Sequence, residues 1–268
     1  MTEASELFRG AAPYYARHRL GYPKDLFRSL VRVCRLADKS RAIDLGSGTG
    51  QISIPLARSI ADVLSVDPND EMIEEGRQMA RTEGVENIRF VISRSEDLNE
   101  PASLFHIATI ASSFHWMERE TVLAKLCQMV EPDGCVAIIE RERYGSDPDG
   151  WTTAMWNDMR DFWGGSFPAG PGTTRQMTVS HRQMLRASAF SEITELRHYY
   201  QHEWNIDDLI GYLYSTSAGA PGTLGPRRGA FTTRMRRFLL SYSPSGRFVE
   251  QGYITTLLGY RPSSATRP

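Results

Sequence analysis

The pattern of apolar and polar positions in the first half of the chain predicts alternating strands and helices. Short runs rich in Val, Ile and Ala alternate with longer segments in which apolar residues recur at helical spacing. Pro23 is typical of a helix start, and Gly84 and Gly134 stand where helix ends and turns favour glycine. The predicted order is helix 23–36, strand 41–45, helix 50–59, strand 62–67, helix 70–83, strand 88–92, strand 105–112, helix 118–130 and strand 134–141, with later strands near 193–200 and 249–259.

Regular alternation of this kind predicts an α/β fold with a doubly wound, mostly parallel, seven-stranded sheet. With 268 residues, 41% of them hydrophobic, and a net charge of −1, the chain can bury one substantial core, so one domain with a cap is favoured over two independent domains. Neither a signal peptide nor an apolar run of membrane-spanning length is present, and the three cysteines are separated in sequence. We therefore expect a cytoplasmic protein with reduced thiols and no membrane partner.

The first predicted strand leads into a glycine-rich turn. Asp44 near the end of the strand is followed by Gly46, Gly48 and Gly50, which allow a sharp turn and close approach of backbone N–H groups to a ligand. This predicts a nucleotide-type cofactor site. A dinucleotide fingerprint would need its third glycine at position 51, where the chain has Gln51.

The spacing from Asp44 to Gly50 instead resembles the first motif of class I S-adenosylmethionine-dependent methyltransferases. The resemblance implies a Rossmann-like methyltransferase fold with a cap over the carboxyl ends of the strands, S-adenosyl-L-methionine as cofactor and S-adenosyl-L-homocysteine as product. In this turn it implies that the cofactor is bound by Asp44, Gly46, Ser47, Gly48 and Gln51.

The next two strands extend the resemblance. Asp67 ends the second strand, where a carboxylate either accepts the ribose hydroxyls or caps the helix that starts near Asp70. The segment 88–98 resembles the family's third strand and acidic loop, which meets the adenine ring. The further cofactor-binding residues implied by the resemblance are Pro68, Met72, Ser95, Glu96, Asp97 and Ser112.

The fourth strand ends in Ser112-Ser113-Phe114-His115-Trp116, which resembles a methyltransferase subgroup acting on small molecules. The resemblance places this segment beside the reactive methyl. His115 is then the candidate general base, or a group that only orients the substrate. Trp116 and Glu140 are expected on the acceptor side, where Glu140 could bind a cationic amine.

The segment 11–23 resembles the entry segment of many small-molecule methyltransferases, although Leu20 stands where the family prefers proline. Arg19 is expected to hold the methionine carboxylate and Tyr15 to close over the methyl, with Tyr14 facing the substrate. The alternative is an amphipathic entry segment with ordinary surface arginines.

The predicted organisation is a cofactor-binding core over 1–141 with an N-terminal lid (1–22), substrate cap insertions at 142–190 and 201–245, and terminal strands at 191–200 and 246–260. In the first insertion Trp151 is a candidate substrate contact, beside helically spaced methionines that fit either core or pocket. Its glycine-rich run 164–172 is typical of a mobile lid. Tyr212 and Tyr214, on a helix predicted within 204–217, either line the acceptor site or pack.

Other motifs exclude more than they suggest. His198 and His202 have no carboxylate or cysteine partner at a ligand spacing, so no metal is expected. No G-x-S-x-G or Walker motif occurs, which argues against hydrolase and phosphoryl-transfer chemistry. The arginines between Arg227 and Arg237 are interpreted as a solvated helix face, so no nucleic-acid partner is expected.

The expected function is methyl transfer to an N or O atom of a small-molecule acceptor, in biosynthesis of a specialised, antibiotic-type metabolite of the actinobacterial kind. Two alternatives stay open: a carboxyl methyltransferase of a small organic acid in primary metabolism, and a non-enzymatic protein that binds an adenosyl ligand. The pattern leaves the acceptor and the oligomeric state open.

Overall fold

The computed structural model of the chain describes residues 4–143, 150–168 and 179–262. Its strands are β1 (Arg41–Leu45), β2 (Asp62–Asp67), β3 (Ile88–Ile92), β4 (Phe105–Ala111), β5 (Val130–Arg143), β6 (Glu192–Asn205) and β7 (Arg247–Tyr260). Its α-helices are α1 (Ala12–His18), α2 (Lys24–Val33), α3 (Ser53–Ala57), α4 (Asp70–Thr82), α5 (Arg119–Met129), α6 (Trp151–Phe162), α7 (His181–Arg186), α8 (Ile206–Tyr214), α9 (Pro221–Leu224) and α10 (Arg228–Tyr242).

The seven strands form one sheet in the order β3-β2-β1-β4-β5-β7-β6. Strand β1 pairs in parallel with both β2 and β4, and the pairs β2–β3 and β4–β5 are also parallel. The chain thus builds outward from β1 to β3, returns to the centre and continues in the other direction. The predicted doubly wound α/β fold is confirmed, and the order reverses between β1 and β4, where such sheets bind ligands.

Strands β1, β2 and β3 have the predicted bounds, but β5 starts earlier than predicted. Val130 already pairs with Phe105, and the ladder resumes at Cys135 opposite Ile107. The predicted turn at 131–134 is therefore a bulge inside the strand, because the ladder resumes on its far side. Helix α3 is shorter than predicted, since the glycine turn takes up its first residues, and β6 runs on to Asn205.

Residues Gly21–Arg141, Gln176–His198 and Ile254–Pro268 form one compact unit, here called the core unit. Its apolar centre consists of strand residues such as Ile43 and Ile110 packed with Leu126 of α5 and Phe190. The near-continuous burial of β1 and β4 is typical of parallel strands covered on both faces. These buried strands hold the loops at their carboxyl ends in fixed positions.

Residues Met1–Leu20, Glu142–Arg175 and Tyr199–Tyr253 form the second unit, here called the helical unit. Its own core joins α6, α8 and α10 through side chains such as Met159, Leu213 and Phe231. Helix α1 lies directly on α8, and Gly211 faces the His18 ring so closely that a Cβ atom there would overlap it. His18 Nδ1 also lies 3.2 Å from Asp208 Oδ1.

Asn205 is the N-cap of α8, and its side-chain oxygen accepts from Asp208 N at 2.9 Å. The helically spaced Met155 and Met159 are buried in the core of the helical unit. Part of the predicted mobile lid, residues 169–172, lies outside the described residues, as do 144–149 and 173–178 of the first predicted cap insertion.

Candidate cofactor and catalytic site

The turn after β1 depends on glycine. Gly46, Gly48 and Gly50 all have positive φ angles, +63°, +55° and +84°. A Cβ atom at Gly46 would come within 2.6 Å of Ser113 Cβ and Oγ, so a side chain is excluded there by contact as well as by conformation. Ser113 Oγ in turn donates to Leu45 O at 3.0 Å. The glycine turn is thereby fixed against the end of β4.

Asp67, at the end of β2, is bound to this turn. Its Oδ2 accepts from Gly48 N at 2.8 Å and its Oδ1 accepts from Asn69 N at 2.9 Å. Burial raises the pKa of Asp67, and these two backbone donors oppose that shift by favouring the carboxylate. Asn69, not Asp67, caps α4, since its side chain accepts from Met72 N at 3.0 Å. The capping alternative for Asp67 is therefore wrong.

Asp44 lies beneath the turn and is fully buried. Its Oδ2 accepts from Ser53 Oγ at 2.6 Å and its Oδ1 from Thr109 Oγ1 at 2.8 Å. Burial raises the pKa of Asp44 to about 6, against the opposing effect of these hydroxyl donors. Because Asp44 is fully buried and both of its oxygens accept from neighbouring elements, the structure gives it a supporting position that ties β1 to β4 and α3.

Ser47 supplies a polar atom that the protein leaves without a partner. Its Oγ is buried and makes no hydrogen bond within the described part of the chain, while its backbone N donates to Val66 O. A buried hydroxyl of this kind is uncommon unless a ligand or water satisfies it. The turn therefore fits a ligand with a polar group, such as the amino-acid end of S-adenosylmethionine.

The acidic loop after β3 forms a 3₁₀ turn, Ser95–Asp97, in which Ser95 is buried. Glu96 Oε1 accepts from Glu118 N at 2.8 Å, just before α5, and Glu96 Oε2 lies 3.5 Å from Arg94 Nε. This loop is therefore held to the start of α5. Within the cofactor set, Met72 is buried on α4, Asp67, Glu96 and Gln51 are half-buried, and Asp97 is exposed.

The end of β4 carries backbone strain. Ser112 has a φ of +50°, which is uncommon for a residue other than glycine, and its N donates to Ile139 O at 2.8 Å. The chain then forms the 3₁₀ turn Phe114–Trp116. Phe114 is buried, whereas His115 and Trp116 are half-buried with ring centroids 5.2 Å apart.

Three ionisable groups face His115 within the core unit. Burial lowers the pKa of His115, the charges of His181 and Arg119 act in the same direction, and Glu140 opposes them. Glu140 Oε1 lies 3.4 Å from His181 Nε2, and it is buried without a hydrogen bond among the described residues. His115, Glu140 and His181 thus share one electrostatic environment.

His181 was missed by the sequence reasoning. It is the first residue of α7, whose capping box joins Ser180 and Gln183. Its ring lies 5.2 Å from that of Phe114, and its Nδ1 lies 3.5 Å from Arg119 Nη1. The Ser-x-x-Gln signature could have indicated the helix start, but nothing in the local sequence relates position 181 to Glu140.

The predicted lid residues cluster with two predicted substrate contacts inside the helical unit. The Arg19 guanidinium lies 4.8 Å from the Tyr15 ring and 5.1 Å from the Tyr212 ring, and it donates to Ser215 O at 3.1 Å. The rings of Tyr14 and Tyr214 are 5.0 Å apart. The two tyrosines on α8 are almost fully buried in this arrangement.

Trp151 belongs to another part of the helical unit, where its Nε1 donates to Val249 O at 3.0 Å. Arg227, Arg228, Arg236 and Arg237 are exposed, as interpreted, but at least three arginines of this stretch also have aromatic or acidic partners. Arg227 stacks on Trp163 at 4.0 Å, Arg228 lies 4.7 Å from the Tyr214 ring, and Arg234 pairs with Asp158. These aromatic and acidic partners could not be assigned from a charge run alone.

The described residues contain no group of His, Cys, Asp and Glu able to hold a metal ion. They also include no helix that is both long and apolar enough to cross a membrane. A cavity of about 320 Å³ lies at the amino ends of β1 to β4, the sheet edge opposite the glycine turn; its lining includes Arg41, Asp62, Ile88 and Phe105.

The comparisons with known proteins agree with this geometry. Residues 42–134 match the family model described as a methyltransferase domain. This segment contains the glycine turn, Asp67, the acidic loop and the end of β4. Over these residues the chain is thus similar to methyltransferase domains.

Individual relatives are similar over part of their length. The chain is 23% identical over 112 residues to the uncharacterized methyltransferase YcgJ of Bacillus subtilis, covering 41% of this chain and 44% of that protein. It is 31% identical over 106 residues to the ubiquinone/menaquinone biosynthesis C-methyltransferase UbiE of Azotobacter vinelandii, covering 38% and 42%. The matched segments thus span less than half the length of these curated relatives.

Similarity in fold extends further. The structure of a candidate type II methyltransferase from Anaeromyxobacter dehalogenans superposes with a TM-score of 0.59 at 20% identity, covering 91% of this chain and 97% of that one. The YcgJ structure gives 0.56 at 16% identity, covering 90% and 100%. At these identities the likeness shows the fold alone.

Proposed function

We propose that the protein is an S-adenosylmethionine-dependent methyltransferase that transfers a methyl group to an N or O atom of a small-molecule acceptor. The observation that supports this proposal most directly is the hydrogen bond that Gly48 N donates to Asp67 Oδ2. It joins the glycine turn to a carboxylate at the topological switch point of the sheet. An adenosine bound there would meet backbone donors and a carboxylate together.

The cofactor would be held by groups at the carboxyl ends of β1 to β4. Asp67 would accept the ribose hydroxyls, Ser95 to Asp97 would meet the adenine, and Ser47 Oγ would bind the amino-acid end. Asp44 would act from beneath by fixing the turn. When bound, S-adenosylmethionine supplies an activated methyl group on a sulfonium, so the protein's main task is to hold donor and acceptor in line.

His115 is the proposed general base for an acceptor that must lose a proton. Because burial lowers its pKa, the neutral imidazole that can accept a proton predominates at neutral pH. Glu140 would stabilise the imidazolium once it forms, and we add His181 as a group that orients Glu140. Trp116, half-buried beside His115, would bound the acceptor.

Six residues of the helical unit are kept as proposed ligand contacts. Tyr15 and Arg19 are proposed for the cofactor, and Tyr14, Tyr212, Tyr214 and Trp151 for the acceptor. An ordered aromatic surface on α1 and α8 is supported by the packing of five of these residues against one another: Tyr14, Tyr15, Arg19, Tyr212 and Tyr214. Trp151, which is bound to Val249 O, is a candidate only for its half-exposed ring.

Two other acceptor classes are kept as candidates. After N or O atoms, the second candidate is a carbon acceptor, because the similar protein UbiE is named as a C-methyltransferase. The third is a small carboxylic acid, for which arginines near the acceptor would be expected, as Arg119 lies near His181. The role in a specialised metabolite pathway rests on the general resemblance to the small-molecule subgroup and on the aromatic cap, and a non-enzymatic ligand binder remains the alternative to any activity.

The first test is calorimetric titration with S-adenosylhomocysteine, with NAD as the comparison ligand. Binding of the former alone is expected; equal binding of NAD or binding of neither would overturn the cofactor proposal.

Methyl-deuterated S-adenosylmethionine is then offered with panels of amines, alcohols, carboxylic acids and phenols, and products are analysed by mass spectrometry. Alkaline hydrolysis releases a methyl ester but leaves N-, ether- and C-methyl products intact, which separates the acceptor classes.

A further inference from the structure

Two of the three cysteines are in contact. Cys34 follows the last residue of α2, and Cys135 lies in β5 opposite Ile107. Their Sγ atoms are 3.2 Å apart, with the Cys135 thiol donating to the Cys34 sulfur. Tyr260 at the end of β7 brings its hydroxyl within 3.9 Å of Cys34 Sγ. All three residues belong to the core unit, and the proposed methyl transfer uses none of them.

The two thiols differ in access and in acidity. Cys135 is buried, whereas Cys34 is half-buried at a helix end. The hydrogen bond from Cys135 lowers the pKa of Cys34 despite partial burial, while donation of that bond, together with burial, raises the pKa of Cys135. Cys34 is therefore the sulfur that ionises first and that a small reagent can reach. Cys135 is placed to react with it second.

We propose that Cys34 and Cys135 form an oxidisable dithiol, a modification site for hydrogen peroxide in which Cys34 reacts first and Cys135 resolves. The Cys34 thiolate attacks one peroxide oxygen, the O–O bond breaks, and a sulfenic acid forms with release of hydroxide, which takes up the proton Cys34 gave up. The Cys135 sulfur then attacks the Cys34 sulfur, its proton and the leaving hydroxyl depart as water, and a disulfide remains. Two thiols are oxidised by two electrons and one peroxide is reduced to two waters.

The dithiol lies apart from the proposed cofactor site. Cys135 pairs with Ile107 in the first half of β4, whereas the glycine turn and Ser112 stand at the carboxyl ends of the strands. The disulfide would join α2 to β5 across 101 positions of sequence. We therefore expect oxidation to leave S-adenosylhomocysteine affinity unchanged, and the inference does not depend on the proposed function.

The test treats the purified full chain with a small excess of hydrogen peroxide and counts thiols after denaturation. The count is expected to fall from three to one, with a Cys34–Cys135 linked peptide in the non-reduced digest and recovery of all three thiols with dithiothreitol. Retention of three thiols, a crosslink through Cys127, or oxidation of Cys34 to a sulfinic acid without a crosslink would each overturn the proposal.

Cys127 provides the matched control, since it is also half-buried but its sulfur makes no hydrogen bond to another cysteine among the described residues. Cys127→Ser should still lose both remaining thiols to the crosslink. Cys135→Ser should stop at a Cys34 sulfenic acid that dimedone labels. If burial of position 135 prevents that variant from folding, Cys34→Ser at the half-buried position serves instead, and its Cys135 should resist the same peroxide treatment. Rapid oxidation of Cys135 there would contradict the assigned order.

Discussion

Asp67 is the charged side chain that we expect to interact most directly with a bound adenosine. We expect Asp67→Asn to weaken S-adenosylhomocysteine binding by roughly tenfold to a hundredfold, because a hydrogen bond to a charged group contributes about 1.5–3 kcal/mol. The amide oxygen can accept from Asn69 N, but the NH2 group then faces Gly48 N, so urea unfolding is measured as well, to separate a lost ribose contact from a disturbed turn. Calorimetric titration measures the change.

Asp70→Asn is the matched control, since it removes the same charge from an exposed carboxylate three residues away. It should bind S-adenosylhomocysteine as the unaltered protein does. Wild-type affinity in Asp67→Asn, or equal losses in both variants, would argue against ribose recognition by Asp67.

His115→Gln should reduce kcat while leaving S-adenosylhomocysteine affinity unchanged, if the acceptor must lose a proton. The active form of the base is the neutral imidazole, and burial lowers the pKa of His115 below its ordinary value. In the unaltered enzyme kcat should therefore be constant near neutral pH and fall only as pH drops below about 6.5. In the variant this fall of kcat at acidic pH, the acidic limb of the pH profile, should disappear.

His202→Gln, which alters a histidine of the helical unit that packs on Trp204, serves as the control and should keep the acidic limb. An unchanged pH profile in His115→Gln would remove His115 from the reaction. A general loss of kcat at every pH in both variants would instead indicate damage to the fold.

Single residues were predictable where a short motif defines them. Gly46, Gly48 and Asp67 stand at turn and strand-end positions that the local pattern identifies, and the structure brings the last two into direct contact. Asp44 belongs to the same motif, yet its burial beneath the turn could not be distinguished from ligand contact in sequence. His181 was invisible because its relation to Glu140 arises from packing between distant segments.

The glycine turn is the element in which one added methyl should matter most. Gly46→Ala would combine a positive φ with a Cβ atom 2.6 Å from Ser113. We expect it to lower the free energy of unfolding by several kcal/mol, on the order of 1–3 for strain and 1–3 for overlap. Urea unfolding and S-adenosylhomocysteine titration would both register the change.

Gly84→Ala is the matched control, because Gly84 also has a positive φ, +65°, but nothing lies within 4 Å of its added Cβ atom. It should cost about 1 kcal/mol, the strain alone. The double variant Gly46→Ala with Ser113→Gly should recover part of the loss. Equal destabilisation by the two single variants would contradict the contact between the turn and the end of β4.

The link between β1, β4 and α3 through Asp44 should make stability depend on pH. Its folded pKa of about 6 lies above the unfolded value of about 3.9, so the folded state holds this proton more tightly. The associated stability is fully present below the unfolded pKa and is lost as pH rises to about 6. The free energy of unfolding should thus fall by roughly 2 kcal/mol between pH 4 and 6 on this account.

Urea unfolding at several pH values in the Asp44→Asn variant tests this dependence. Asparagine cannot ionise, so the variant should gain stability relative to the unaltered protein as pH rises through that window. Asp70→Asn should show no such relative gain. Parallel curves for Asp44→Asn and the unaltered protein would show that Asp44 keeps an ordinary pKa.

Elements were predictable where hydrophobic periodicity and turn residues agree. Strands β1, β2 and β3 are short, apolar and bounded by polar or glycine positions, and their limits matched. The start of strand β5 was predicted too far along the chain, because Pro132 and Gly134 are typical of a turn. The pairing of Val130 with Phe105 shows that the strand continues across these residues. Hydrogen-bonded pairing with a neighbouring strand determines where such a strand begins, and a single sequence does not reveal that pairing.

For the whole molecule, ligand binding should appear as added stability. At a concentration one hundred times its Kd, S-adenosylhomocysteine should add about 2.7 kcal/mol to the free energy of unfolding, because it binds only the folded chain. In a protein of this size that corresponds to a rise in Tm of several degrees. NAD at the same concentration should leave Tm unchanged, and a rise with NAD alone would favour a dinucleotide site.

Gly211 has a consequence for anyone who wishes to redesign this protein. The His18 ring occupies the space that a side chain on α8 would fill, so α1 can approach α8 this closely only while position 211 stays glycine. Libraries that randomise α8 should hold this position constant, or vary His18 together with it. Natural divergence at the two positions should likewise be correlated, with larger residues at one accompanied by smaller residues at the other.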